Sequence, residues 1–375
     1  MDCRVPVKLL LVGAGIRGEV WARVCSDAPG VDLVGIVDRD LSKAEAVRSI
    51  HHIKNALIGE DLEHALRVTQ PDAVIVATPP NTHYNLVSIA LSAGNHVLCE
   101  KPLSDQMSEV IDLVLQARND GLELLVGMNF RYLSTSQRIK QYVETQELGN
   151  LSHAQFSYVR HRDGGRDDLN DYPLEMLYPM LFEQSIHHFD LLRYCYGAEV
   201  HSLVADSWKP TWSTYKNDCC VSVLFRFEDN VHVNYFGTWT GSWNKMEFRW
   251  RSEFSRGVLI QQSQFDDLIR IDFQPEMGLS GSRFKEEDEA ETSHAERMPA
   301  CVPFVDDSRM LLDELIRAIQ KEQIPTTTAA DHLRSLCLVP ASIESLEKKS
   351  WVNLQEYYEK LGVSQAVGDS HCYGK

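Results

Sequence analysis

Val7-Lys-Leu-Leu-Leu-Val-Gly-Ala-Gly-Ile-Arg-Gly18 decides the fold. A β-rich run enters a G-x-G-x-x-G turn, and Glu19 to Cys25 continues with helical spacing. Gly13, Gly15 and Gly18 permit a tight turn and let a pyrophosphate approach the N–H groups of Ile16 and Arg17 at a helix N-terminus. Glycine turns are common, so the surroundings carry the argument. A second strand, Asp32 to Val37, leads to Asp38, 20 residues beyond Gly18. A carboxylate there would hold the adenosine ribose hydroxyls and repel a 2′-phosphate, which favours NAD. Arg39 follows at once and keeps NADP open.

The same alternation runs outward to residue 127. Ser42 to Ile50 has helical spacing, and Ala73 to Ala77 is a continuous apolar strand. Tyr84 to Ala93 predicts a helix ending at Gly94, His96 to Cys99 a strand, Glu109 to Asn119 a helix closed by Gly121, and Glu123 to Val126 a strand. Strand–helix units with continuous apolar strands imply a doubly wound parallel sheet, a Rossmann domain over 1–127. Beyond Gly127 the texture changes. A helix over Ser136 to Gln146 precedes an alternating strand with Ala154, Phe156 and Tyr158 on one side. A helix from Leu181 to Tyr196 follows, then long Val-, Phe-, Tyr- and Trp-rich strands from Glu199 to Phe273. This reads as an α+β domain with a large, mostly antiparallel open sheet over 128–300. The acidic run Glu286 to Ala295 reads as an exposed loop. Helices at Ser308–Lys321 and Asp331–Glu347 would close the chain as a segment, 301–375, packed back on both domains.

Composition narrows the function. The 375 residues carry 37 basic and 54 acidic side chains, a formal charge of −17, which argues against a nucleic-acid or anionic-membrane surface. The apolar runs have strand length, far below the roughly 18 residues of a membrane helix, and no signal-peptide cleavage site is visible. Nine cysteines without a C-x-x-C pair point to reduced thiols in a cytoplasmic protein, with neither a disulfide framework nor a metal site.

Three further segments follow successive strands: Ala77-Thr-Pro-Pro-Asn-Thr-His83, His96-Val-Leu-Cys-Glu-Lys-Pro102 and Val126-Gly-Met-Asn-Phe-Arg-Tyr132. With the glycine turn they resemble the glucose–fructose oxidoreductase, inositol dehydrogenase and rhizopine-catabolism family (Gfo/Idh/MocA). The E-K-P tripeptide is its most specific mark. The resemblance implies NAD(P)-dependent redox chemistry on sugars, cyclitols or related polyols. It implies cofactor contacts from Ala77, Thr78, Pro79, Asn81, His83, Glu100, Lys101 and Asn129, with Arg131 near the substrate. Independently, all these segments sit at carboxyl ends of strands, where ligands bind in open α/β sheets. Lys101 there would stabilise developing alkoxide charge. For His83, local hydrogen bonding at a helix start is an equal alternative to cofactor contact; for Arg131, structural hydrogen bonding is equally open.

A second constellation is Leu181-Phe-Glu-Gln-Ser-Ile-His-His-Phe-Asp190. At helical spacing Glu183 and His187 are i,i+4 neighbours, so the carboxylate would tune the imidazole, the natural proton acceptor near neutral pH. The family pattern is D-x-G-x-H-x-x-D; His187, not His188, inherits the base role. Glu183 stands for the usual aspartate and Ser185 for the usual glycine. Arg160 and Arg162 share a strand face with Phe156 and Tyr158 by period two. Either they and Arg166 receive an anionic substrate group, or, with Asp163, Asp167, Asp168 and Asp171, they form a solvated mixed-charge loop. Trp208, Trp212, Trp239 and Trp243 are read as sugar-stacking surface or as sheet core.

Together these readings predict an oxidoreductase in which Lys101 positions a hydroxyl and His187 takes its proton. Redox-assisted glycoside cleavage needs the same two residues and stays open. A noncatalytic NAD-binding regulator needs neither. An open sheet face wants covering, so a homodimer or homotetramer is expected.

Overall fold

The structure, a computed structural model, describes residues 5–165, 171–242, 245–265, 267–272 and 293–367. The chain divides into two units. Residues 5–132, 302–334 and 359–367 form the first, and 133–301 with 335–358 the second, within the described residues.

The first unit opens with β1 (Val7–Val12), α1 (Ile16–Asp27), β2 (Val31–Val37), α2 (Leu41–Ile50), β3 (Leu57–Gly59) and α3 (Leu62–Thr69). It continues with β4 (Ala73–Val76), α4 (His83–Ser92), β5 (His96–Cys99), α5 (Met107–Asp120) and β6 (Leu124–Val126). Six parallel strands lie in the order β3-β2-β1-β4-β5-β6. The order reverses beside β1, so the turn after β1 opens at the switch point of the sheet. β4 is buried along its whole length, as an apolar run covered on both faces must be. Asp40 and Asp61 cap α2 and α3 by accepting the N–H of Ser42 and His64. Gly121, at φ 66°, ends α5 in the left-handed region. β3 and α3 had no counterpart in the sequence reading: three residues show no period, and α3 is short and polar-rich.

The second unit begins with α6 (Ser134–Thr145) and β7 (Leu151–Val159). A π-helical turn over Leu181–Ser185 then runs into α7 (Ile186–Tyr196). Then follow β8 (Val200–Trp208), β9 (Cys220–Phe227), β10 (His232–Thr238), β11 (Glu247–Phe254), β12 (Gly257–Gln261), β13 (Leu268–Asp272) and β14 (Ser293–Glu296). With β15 (Val352–Asn353) they make a nine-stranded sheet ordered β14-β13-β12-β11-β7-β10-β9-β8-β15. Only the β7–β10 pair is parallel. Along β7, Ala154, Phe156 and Tyr158 are buried while His153 and Gln155 are exposed, so one face is covered. Every residue of α7 is buried, with Phe189 edge-on to Phe225 at 4.9 Å and Tyr196 edge-on to Trp250 at 5.7 Å. Residues 293–295 are exposed as expected but form strand instead of loop, their backbone pairing with β13; 286–292 lie outside the described residues.

Of the closing elements, α8 (Asp306–Ile319) puts Leu311, Leu312 and Leu315 into the first unit's core with Leu9 and Trp21. α9 (Ala329–Lys348) contributes to the first unit up to Arg334 and to the second from Ser335; α10 (Leu354–Leu361) and α11 (Val363–Val367) end the described chain. Among the described residues no helix is long and apolar enough to cross a membrane.

Candidate active site

In the first unit the glycine turn is forced by space at two positions and left open at the third. Gly13 takes φ +102°, and a Cβ there would lie 2.4 Å from the Ala77 carbonyl oxygen. A Cβ on Gly18 would meet the Gly13 oxygen at 1.9 Å, so helix and strand approach only as glycines. At Gly15 a Cβ would touch nothing. The protein itself does not need that glycine; a ligand resting on the first turn of α1 does. Ile16 beside it is 83% exposed, and the first-turn N–H groups have no intrahelical acceptors. Asp38 closes the cradle: one oxygen accepts the Ala14 N–H at 2.7 Å and the other the Asp40 N–H at 2.8 Å. Turn and carboxylate are one rigid platform, which fits NAD with its ribose on Asp38. Arg39 is exposed.

Glu100 anchors the E-K-P loop. One carboxylate oxygen accepts Arg17 Nε at 2.7 Å and Trp21 Nε1 at 2.8 Å, both from α1. Arg17 also reaches Ser308 Oγ at 3.0 Å, so its guanidinium is committed to the protein. Half-buried Lys101 is thereby held at the carboxyl end of β5. Thr78, Pro79 and Asn81 lie beyond β4 with half-buried to exposed surfaces, while Ala77 is buried against Gly13.

Of the two alternatives for His83, the geometry favours local hydrogen bonding over cofactor contact. The ring is fully buried, with Nδ1 at 2.7 Å from the Pro102 carbonyl and Nε2 at 2.8 Å from that of Thr78. Burial opposes its protonation and the carbonyls favour it, with burial prevailing. The imidazole lies between the two loops, donating to one carbonyl when neutral and to both when protonated, and has no exposed surface. Arg131 likewise takes the structural alternative: it is fully buried, paired with Asp331, and donates to the Thr326 carbonyl at 2.6 Å. Asn129, 4% exposed, donates to Asp307 at 2.5 Å.

In the second unit His187 stands in the first turn of α7 and keeps 8% of its surface exposed. A π turn over Leu181–Ser185 carries Glu183 just ahead of α7. Glu183 hydrogen-bonds Tyr172 and so pushes that phenol's pKa up, after burial itself. Gln184 and His188 form an i,i+4 pair at 3.1 Å. His188 is fully buried, bonded to Tyr235 at 2.9 Å and enclosed by Phe156, Tyr158 and Phe248. Burial pushes its pKa down to about 3, so it is a neutral core group. Tyr158 is 1% exposed, its ring 4.9 Å from that of His188, which makes it floor rather than a substrate contact. Asp190, also buried, accepts from Ser335, which accepts from Arg193, itself paired with Glu199. Trp239 is core and Trp212 is exposed; Arg166 and Trp243 lie outside the described residues.

Trp21, Asp307, Asp331, Tyr172 and Tyr235 were absent from the sequence reading. Nothing local marks them, since their partners are 11 to 200 residues distant. The six cysteines buried in the structure are all free thiols.

A nucleotide cradle at the switch point of a parallel sheet defines a dinucleotide-binding enzyme. Residues 7–128 match the oxidoreductase family with the NAD-binding Rossmann fold, and residues 136–260 match the GFO/IDH/MocA C-terminal domain. The chain belongs to the Gfo/Idh/MocA family of NAD-binding oxidoreductases. It is 25% identical to an uncharacterised protein of Sinorhizobium fredii, over 96% of this chain and 99% of that one. It is 32% identical to the myo-inositol 2-dehydrogenase of Thermotoga maritima, over 53% of this chain and 58% of that enzyme. Among solved structures, an oxidoreductase of Agrobacterium radiobacter in complex with NAD+, L-tartaric acid and magnesium shares the fold. Its TM-score is 0.80 at 18% identity, over 94% of this chain and 99% of that one.

Proposed function

We propose that the chain is an NAD-dependent dehydrogenase acting on a hydroxyl-bearing carbon of a sugar, acid sugar or cyclitol. One observation carries it: the Glu100 anchor, which commits two α1 side chains to holding the loop that bears Lys101. A lysine so fixed at a strand end, beside a nucleotide cradle, suits a donor to an alcohol becoming alkoxide. Bound NAD supplies the hydride acceptor. Lys101 holds the reacting hydroxyl, His187 accepts its proton, and Asp38 holds the ribose diol. The myo-inositol relative supports a polyol as substrate. The exposed side chains of Trp208, Leu224 and Trp351 on the second sheet support a homo-oligomer.

The test is to mix the purified chain with NAD and myo-inositol, glucose, gluconate or glucuronate and to follow NADH. NADH growing in step with oxidised product supports the reading. Failure to bind NADH, together with silence across the panel, overturns it. In the same preparation Asp38→Ala is expected to narrow the preference for NADH over NADPH by about tenfold or more, one lost charge repulsion. An unchanged ratio removes Asp38 from the assignment.

A further inference from the structure

We infer that Arg160 and Arg162 form an oxyanion-binding subsite in the second unit, built to take a carboxylate, sulfonate or phosphate group carried by the substrate. Ladder hydrogen bonding continues past the end of β7: the Arg160 N–H donates to Thr238 at 3.0 Å and the Arg162 N–H to Trp239 at 2.8 Å. These bonds advance one residue on the second strand for two on the first, and His161 bridges Thr240 in antiparallel fashion, so the regular alternation ends at Val159. Ala154, Phe156 and Tyr158 make one buried row on the covered face, and half-buried Arg160 and Arg162 follow directly beyond its end. Two half-buried guanidiniums thus stand beside Tyr158 at the end of that row.

Among the described residues neither of them forms an ion pair with a carboxylate. Arg162 lies over the Trp239 ring at 4.4 Å, and Arg160 bonds the Tyr158 hydroxyl. Asp163, the nearest acid in sequence, is turned to Thr214, whose N–H it accepts at 2.8 Å together with the hydroxyl. Both arginine charges act on Tyr158, so they occupy one locality. Arg162 also acts on Tyr172, which bonds Glu183 in the π turn before His187. Two like charges, partly withdrawn from water, repel each other, and among the described residues no carboxylate forms an ion pair with either. An oxyanion supplies the opposite charge, and the planar guanidinium fork suits its geometry.

Assigning that anion to the substrate rests on the dehydrogenase reading; binding of an oxyanion does not. The test uses the full chain saturated with NADH and titrated with malonate. Saturable binding is expected, weakened about 10- to 100-fold in Arg160→Gln and in Arg162→Gln, the value of a charge-assisted hydrogen bond. Arg162→Lys, which keeps charge but loses the fork, is expected to fall between. An unchanged melting temperature separates loss of the subsite from loss of the fold, and a Gln variant that unfolds is replaced by the Lys variant. Absence of saturable malonate binding to wild type, or equal binding by the variants, overturns the inference. In kinetics, Arg162→Gln is expected to raise KM for glucuronate and leave KM for myo-inositol unchanged. Oxidation of neutral polyols without malonate binding would leave the dehydrogenase standing and remove the subsite. Malonate held by the arginines without any NADH formation would do the reverse.

Discussion

The glycine-turn region of the first unit and the Leu181–Tyr196 segment of the second both carry candidate chemistry, but they are assembled differently. Around the turn, backbone at strand ends sets Gly13 under the Ala77 carbonyl and Asp38 on the Ala14 N–H, while Glu100 grips α1 through the side chains of Arg17 and Trp21. In the helix, placement depends on side chains brought from far along the chain, with Tyr235 holding Ser185 and His188, and Tyr172 taking Glu183. Backbone placement leaves a motif in the sequence. Side-chain placement leaves almost none, and it lets adjacent histidines differ entirely in role.

That contrast can be broken most forcefully at Arg131. If its charge is spent on Asp331, then Asp331→Ala strands a buried cation and is expected to cost about 3–5 kcal/mol in urea unfolding, with KM of the surviving enzyme unchanged. A raised KM at wild-type stability would return Arg131 to the substrate.

Next in size is the chemical step. Lys101→Ala and His187→Ala are each expected to lower kcat roughly 10²-fold or more while NADH binding persists. Full activity in both would dismantle the proposed site. His188→Ala is a different experiment. It empties a core position, so its main signature is lost stability, about 2–4 kcal/mol, rather than a changed pH–rate limb.

The smallest effect sharpens the difference between the histidines. His188 has a folded pKa of about 3 against an ordinary 6.5. Above pH 6.5 the ring is neutral in both states and contributes no slope. As pH falls toward 3 the unfolded chain takes up a proton that the folded one refuses, so stability declines by up to about 1.4 kcal/mol per pH unit. His188→Gln is expected to flatten that decline in unfolding measured between about pH 7 and about pH 5. An equal slope in both proteins would place the acid sensitivity elsewhere.

Much of the first unit was legible because its signals are local. Gly13 and Gly18 meet within one turn, Asp38 and the E-K-P tripeptide stand directly after strands, and continuous apolar strands announce a sheet covered on both faces. β3 and α3 escaped because short elements carry no readable period. His83 and Arg131 were seen as motif residues, yet only burial shows that both are turned inward. The i,i+4 reading of Glu183 and His187 assumed α geometry throughout and gave no sign of the π turn or of Tyr172, which bonds Glu183.

Residue order alone thus sufficed for the parallel sheet, the nucleotide cradle and its acidic partner, because backbone sterics and strand periodicity act between near neighbours. Tertiary structure decided which polar groups work and which merely hold. Whether a histidine is a base or a core group depends on the solvent and charge around it, and those arrive from strands and loops far away in the chain.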